Sequence, residues 1–455
     1  MPDLVRAAYS ALMWLAQPLL LRKLRRRGRD EPGYLAAIPE RLGRYPRPID
    51  SLVPYSTMDP LGQFVWVHAV SLGETRAAAT LLARLRARLP GMRLLLTHST
   101  ATGRAEGEKL LMPGDVQVWL PWDTPWAVSR FLQQFRPAVG VLMETEVWPN
   151  LVHICRARGV PLVLANARLN ARSLQRALRL APLARPAYAG LAAVYAQTEA
   201  DAKRLRVLGA PVVAVLGNLK FDATPDAELL AQGRAWRAAV GRPVVLLASS
   251  REGEEARWIQ ALQDLRGRTG GAAALAGVQW LVVPRHPQRF DEVAAGLRGG
   301  GRTVSRRSTW AAAPEPAQVW LGDSLGEMPR YYGMADVVLL GGSFGEFGGQ
   351  NLIEAAACGC PVLLGPHTFN FAEAAEQACE AQAAQRVADM SEALREALAW
   401  LADDAALAQR RARALEFAAA HRGAAEATAG AIAALLLQGR NPAAAVRALR
   451  APAGG

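Results

Sequence analysis

Five glycines, at 341, 342, 345, 348 and 349, fall within one short stretch, GGSFGEFGGQNLIE at 341–354. An apolar run at 337–340 precedes it and is short and β-branched enough to be a buried strand. An apolar-periodic segment at 352–358 follows and reads as a helix. Glycine lets backbone pass close to a ligand, and a helix N-terminus offers unpaired N–H groups to an anion. Strand, glycine loop and helix therefore form a seat for a phosphate, or equally a tight turn. Other polar residues fall at the ends of strand-like runs: His68 and Ser71 after 64–70, His98 and Ser99 after 93–98, Glu144 and Glu146 after 139–143.

These residues need elements to position them. Strand-like runs at 64–70, 93–98, 116–121, 139–143, 160–165, 194–197 and 212–216 alternate with helical segments at 74–89, 124–135, 148–158, 173–180 and 199–208. The loop GNLKFDATPD and a polar helix interrupt the alternation. It restarts with runs at 244–248, 280–284, 318–321, 337–340 and 362–364, and 391–437 is nearly all helical. Repeated βα units of this spacing predict parallel sheets covered on both faces, with ligands at the carboxyl ends of the strands. The domain reading is 1–33 a membrane-associating helix with a basic flank, 34–217 a first α/β domain, 218–242 a linker, 243–437 a second α/β domain, and 438–455 a tail.

At 455 residues the chain exceeds a single core and suits two domains of about 200 residues each. An apolar fraction of 51% with 20% charged residues describes a folded protein. The net charge of +13 suits an anionic partner, whether nucleic acid, phospholipid or a phosphorylated substrate, or is simply solvated arginine. Cys155, Cys358, Cys360 and Cys379 form no C-x-x-C pair, so neither a disulfide framework nor a zinc site is expected. Residues 7–21 are mostly apolar, shorter than the roughly 20 residues of a spanning helix. The sequence RKLRRRGR follows at 22–29. A positive region after the apolar one is the wrong order for a cleaved signal. The segment reads as a helix that inserts or lies beneath anionic head groups, with the body on the cytoplasmic side.

Eight motifs then run in order along the chain: HAVSLGE (68–74), ETEVWPN (144–150), NARLNARS (166–173), GNLKFD (217–222), VPRHPQRF (283–290), GEMPRYYGMAD (326–336), the glycine loop, and GPHTFNFAE (365–373). On these the chain resembles the Kdo transferases of lipopolysaccharide biosynthesis, over roughly residues 1–430. Gln350 departs from the pattern, standing where His is about as common.

The resemblance implies a GT-B fold, two doubly wound Rossmann-like domains facing a cleft. It also implies inverting transfer of 3-deoxy-D-manno-octulosonic acid (Kdo) from CMP-Kdo to a lipid A precursor, lipid IVA, at the cytoplasmic face of the inner membrane. Glu74 is then the base for the acceptor hydroxyl, and the dipole of the helix it opens should keep it ionised; a plain helix cap is the alternative role, and His68 a weaker base. Arg285, Ser249, Ser250 and Ser343 with Gly348 and Gly349 meet the leaving phosphate, and His286 the phosphate or the base. Gly326, Glu327 and Met328 meet cytosine and ribose through backbone groups. Asn351 and Glu354, one turn apart, read the ribose, and Asn370 and Glu373 receive the sugar. Arg76, Arg168 and Arg172 are candidates for acceptor phosphate or Kdo. Arg41, Arg44 and Arg47, with Trp14, Tyr34 and Tyr45, suit a lipid surface. No metal, no cofactor and no nucleic acid is expected. Two rival readings are a UDP-sugar enzyme of the same fold and a non-catalytic membrane adaptor or nucleic-acid binder; the absence of aromatic–basic binding motifs tells against nucleic acid.

Overall fold

The computed structural model describes residues 2–46, 64–222 and 224–437; Arg47 and the expected tail at 438–455 lie outside the described residues. The chain divides into two compact units, 1–222 with 422–455, and 223–421.

The first unit is built on a seven-stranded sheet, all parallel: β1 Phe64–His68, β2 Arg93–His98, β3 Val116–Trp119, β4 Val139–Met143, β5 Leu162–Ala167, β6 Ala193–Ala196 and β7 Val212–Val215, in the order β3-β2-β1-β4-β5-β6-β7. Alternate residues of one strand feed opposite cores: Val65 and Val67 join the cluster with Leu81 and Leu85, while Phe64 and Trp66 join Phe131 and Phe135. A strand covered on both faces needs apolar residues at every position, which is why these runs are continuous rather than alternating. The helices of this part of the chain are α1 Pro2–Asp30, α2 Leu72–Arg88, α3 Ala101–Glu108, α4 Pro125–Phe135, α5 Pro149–Ala157, α6 Ala171–Arg179, α7 Ala181–Ala189 and α8 Glu199–Val207.

The second unit starts with α9 Ala227–Val240 and carries β8 Val244–Ser250, α10 Glu254–Arg266, α11 Gly271–Ala276, β9 Gln279–Pro284, α12 Phe290–Gly299, β10 Val304–Arg306, β11 Val319–Leu321, α13 Met328–Met334, β12 Val337–Leu340, α14 Leu352–Ala357, β13 Val362–Leu364, α15 Ala372–Glu380 and β14 Ala384–Arg386. Helices α16 Met390–Leu401, α17 Asp404–Ala420 and α18 Ala424–Leu437 follow. Its parallel sheet runs β10-β11-β9-β8-β12-β13-β14. The strand order reverses between β1 and β4 in the first unit and between β8 and β12 in the second, the two places where such sheets open a crevice at their carboxyl ends.

Three features depart from the sequence-based expectation. Residues 218–242 are not a free linker. Helix α9 packs on α13, where Gly233 and Gly333 bring the two backbones together, so close that a Cβ on Gly233 would stand 2.1 Å from the Arg330 carbonyl. The last helix, α18, belongs to the first unit instead of the second: Ala425, Ala429 and Ile432 join the core of Leu81 and Leu85, and Asp222 caps the helix through the Gly423 and Ala425 amides. Two strands, β10 and β14, went unread, being three-residue edge strands that carry Arg306 and Arg386.

Candidate active site

In the first unit the site is built at the β1/β4 reversal. Ser71 caps α2, with its hydroxyl accepting from the Glu74 amide at 3.4 Å, and the Glu74 carboxylate answers by accepting from the Val70 amide at 2.9 Å and the Ser71 hydroxyl at 3.2 Å. The cap does not keep the group ionised. Burial pushes the Glu74 carboxyl up to about 7, partly opposed by the Val70 hydrogen bond and reinforced by the nearby charges of Glu144 and Glu146. Desolvation outweighs the helix dipole, so the carboxylate expected to start ionised is poised near neutrality instead.

Glu144 follows β4 with a left-handed backbone, φ 56°, and is buried. Two of the recurring motifs converge on it. Arg168 Nε from NARLNARS lies 2.6 Å from one carboxylate oxygen, and Lys220 Nζ from GNLKFD lies 3.3 Å from the other. Arg168 is thus held by a carboxylate, and Lys220, which the sequence did not single out, is held by the same one. Arg76 pairs with Glu106 at 3.2 Å, and Arg172 is exposed on α6. His68 is fully buried, its Nδ1 engaged by Thr97 Oγ1 at 2.9 Å, and burial pushes its pKa down to about 3. It packs as a neutral core residue. Arg41 is not available to a lipid either: it is 4% exposed and stacks 3.8 Å above the Trp119 ring.

In the second unit the polar residues gather at the ends of β8, β9, β12 and β13. Arg285 follows β9; its amide donates to the Ser250 carbonyl at 3.0 Å and its Nε to Gln350 Oε1 at 3.1 Å. Through that contact the glycine loop touches the guanidinium. His286 beside it is half-buried, its pKa lowered by burial and by the Arg251 and Arg285 charges. Asn351 caps α14 by accepting from the Ile353 amide at 3.1 Å and donates to Glu354 Oε1 at 3.1 Å, so the two share one end of the helix. Asn370 is exposed and donates to the Phe347 carbonyl at 2.8 Å, and Glu373 is exposed in the first turn of α15. Gly326 turns at φ 80° with open space where a side chain would stand, leading to Met328 at the start of α13. The neighbouring Glu327 side chain is held by Arg307, Arg330 and the Ser324 hydroxyl, which fixes the turn.

The serines behave otherwise than expected. Ser343 is fully buried, donating to the Leu340 carbonyl and accepting from the Gly365 amide at 2.8 Å. Ser250 is fully buried and donates to Glu255 at 2.6 Å. Both hold loops together, because small hydroxyls at a buried strand end must find protein partners. Ser249 alone is partly open, with φ 55°. The glycine loop also packs chiefly on protein. A Cβ on Gly341 would stand 2.4 Å from the Ser249 carbonyl, and one on Gly348 2.6 Å from the Asn370 amide nitrogen.

Two parallel doubly wound units, each with polar residues gathered at its strand-order reversal, make up the GT-B class of fold. Solved structures agree. A glycosyltransferase from Rickettsia africae ESF-5 matches with a TM-score of 0.55 at 12% identity, over 83% of this chain and 99% of that one. Anabaena Alr3699/HepE in complex with UDP matches with a TM-score of 0.56 at 13% identity, over 80% and 98%. The family follows from sequence. Residues 36–223 match the model described as 3-deoxy-D-manno-octulosonic-acid transferase (kdotransferase). The 3-deoxy-D-manno-octulosonic acid transferase of Bordetella pertussis is 51% identical over 82% of this chain and 87% of its own length; that of Haemophilus influenzae is 33% identical over 86% and 90%. The chain belongs to the Kdo transferase family of glycosyltransferases.

Proposed function

We propose that this protein transfers Kdo from CMP-Kdo to lipid IVA with inversion at the anomeric centre, at the cytoplasmic face of the inner membrane. The observation that carries the reading is Glu74: a carboxylate at the β1/β4 reversal, with its pKa raised to about 7 by burial and by Glu144 and Glu146. A general base works best when its pKa lies near the working pH. Ionised, Glu74 takes the proton of an acceptor hydroxyl as that oxygen attacks the anomeric carbon, and CMP leaves with its phosphate. Arg285, aligned by Gln350, meets the leaving charge with a fixed guanidinium. Glu354 and Asn351 face the ribose, the Gly326 turn the cytosine and ribose, and Asn370 and Glu373 the Kdo hydroxyls. No metal or cofactor enters this scheme.

Helix α1 supports the membrane side of the reading. It is the one helix, among the described residues, long and apolar enough to cross a bilayer by length and composition. Its inner face is tied to the first unit: Tyr9 donates to Asp123 at 3.0 Å and Ser10 to Asn150 at 3.0 Å. Its outer face exposes Leu4, Leu12, Leu15, Leu19 and Trp14. A helix held sideways by its polar residues, with apolar side chains outward and arginines at its end, suits an interfacial seat better than a spanning one. The test is to incubate purified protein with CMP-Kdo generated in situ and lipid IVA, and to read the product by mass spectrometry and its anomeric configuration by NMR. A Kdo-bearing lipid of inverted configuration is expected. Turnover of a UDP-sugar instead, or no transfer, would sink the reading.

A further inference from the structure

Glu254 belongs to none of the motifs that carry the family resemblance, yet it is a fully buried carboxylate whose partners are all backbone amides. It opens α10 directly after Gly253, which turns at φ 83°. It is fully buried, and its oxygens accept three backbone N–H groups: Arg251 at 2.8 Å and Gly342 at 2.7 Å on Oε2, and Phe344 at 3.0 Å on Oε1. Two of those amides are the ones a strand–glycine loop offers to a phosphate. The rest of the loop closes on itself: Gly349 donates to the Gly342 carbonyl at 2.8 Å and Gln350 to the Gly341 carbonyl at 3.1 Å.

From this geometry we infer that Glu254 is a positioning residue for nucleotide binding, an internal carboxylate seated in the amide cradle of the glycine loop that holds the loop in its binding shape. The inference rests on the donor-binding reading of the second unit. A buried charge is costly unless its hydrogen bonds are complete, and here three amides and the N-terminus of its own helix complete them. The neighbouring Glu255 does not compete, being paired with Arg289 at 2.8 Å and Ser250 at 2.6 Å. The carboxylate joins the β8 exit to the β12 exit, the two loops that flank the strand-order reversal. It thereby fixes Gln350, and through Gln350 the Arg285 guanidinium, without touching the ligand. The phosphate is then met by Arg285 at the rim of the loop and not by the Gly342 and Phe344 amides.

The test uses the full-length protein with Glu254→Ala, which empties the cradle, and Glu254→Gln, which keeps the volume but turns an N–H toward one of the amides. Hydrogen exchange of the amides in 341–350 and calorimetric affinity for CMP are read for both, with sodium formate or sodium chloride added. Faster exchange in this loop is expected in both variants, with CMP affinity at least about tenfold weaker, the equivalent of one charge-assisted hydrogen bond. Formate, a carboxylate small enough for the emptied cradle, restores protection and affinity to Glu254→Ala, and chloride does not. Unchanged exchange in the loop, or protection lost throughout the unit with no formate rescue, would overturn the positioning role. Should wild-type protein fail to bind CMP, the donor reading falls on its own and the exchange data still decide for or against Glu254 as the holder of the loop.

Discussion

At Glu74 two opposed effects meet in one carboxyl group. The α2 N-terminus and two hydrogen bonds favour the anion, burial and two neighbouring carboxylates oppose it, and burial wins. The sequence showed the Ser71-x-x-Glu74 cap but carried no measure of desolvation, so the dipole argument alone gave the wrong direction. The consequence for stability has a definite sign. The folded pKa of about 7 lies above the ordinary 4.5, so the folded protein binds more protons than the unfolded chain between those values, and this group's contribution is lost as pH rises through 7. Glu74→Gln should therefore raise the melting temperature at pH 8, by a stabilisation on the order of 1–3 kcal/mol after allowing for partial exposure. The gain should fade toward pH 4.5, where acid and amide are both neutral. Calorimetric melting across that range measures it; a gain independent of pH would assign the effect to packing. Glu254 was harder still to see. Two of its three amide partners lie 88 and 90 residues along the chain, beyond any local pattern.

Among the elements, the central strands were plain in the sequence because burial on both faces demands unbroken apolar runs, as in β1, β4 and β8. The three-residue edge strands β10 and β14 carry Arg306, Gln385 and Arg386 and read like loops. Helix α1 was recognisable in composition but not in extent. It continues unbroken through the arginines to Asp30, 29 residues in all, because arginine is a good helix former. Its outer leucines predict a separable function. Leu12→Asp with Leu15→Asp should weaken flotation with anionic lipid vesicles by at least about tenfold, each charge costing well over 1 kcal/mol at an apolar interface. Both leucines are exposed, so the melting temperature should stay put. A variant that floats like wild type would show that α1 does not seat the protein on lipid.

For the molecule as a whole, the two α/β units were legible as two series of βα units, and the return of α18 to the first unit was not. That helix is apolar over most of its surface, and nothing in such a pattern says which core it enters. Its side chains Ala425, Ala429 and Ile432 complete the core around Leu81 and Leu85, so the first unit needs a segment more than 200 residues downstream of Asp222. Ile432→Ala should cost about 2–4 kcal/mol, and hydrogen exchange should register the loss in α2 and β1; a loss confined to 223–421 would contradict the division. Under the proposed function, the acceptor hydroxyl meets Glu74 in that same unit. The central claim, base catalysis by Glu74 in Kdo transfer, is tested most directly by the pH dependence of kcat/KM for lipid IVA with saturating CMP-Kdo, for wild type and Glu74→Gln. The wild type should lose activity below pH 7 along a limb with an apparent pKa near 7, and Glu74→Gln should be slower by roughly 10²–10⁴-fold without that limb. An unchanged limb in Glu74→Gln, or turnover near the wild-type rate, would contradict it.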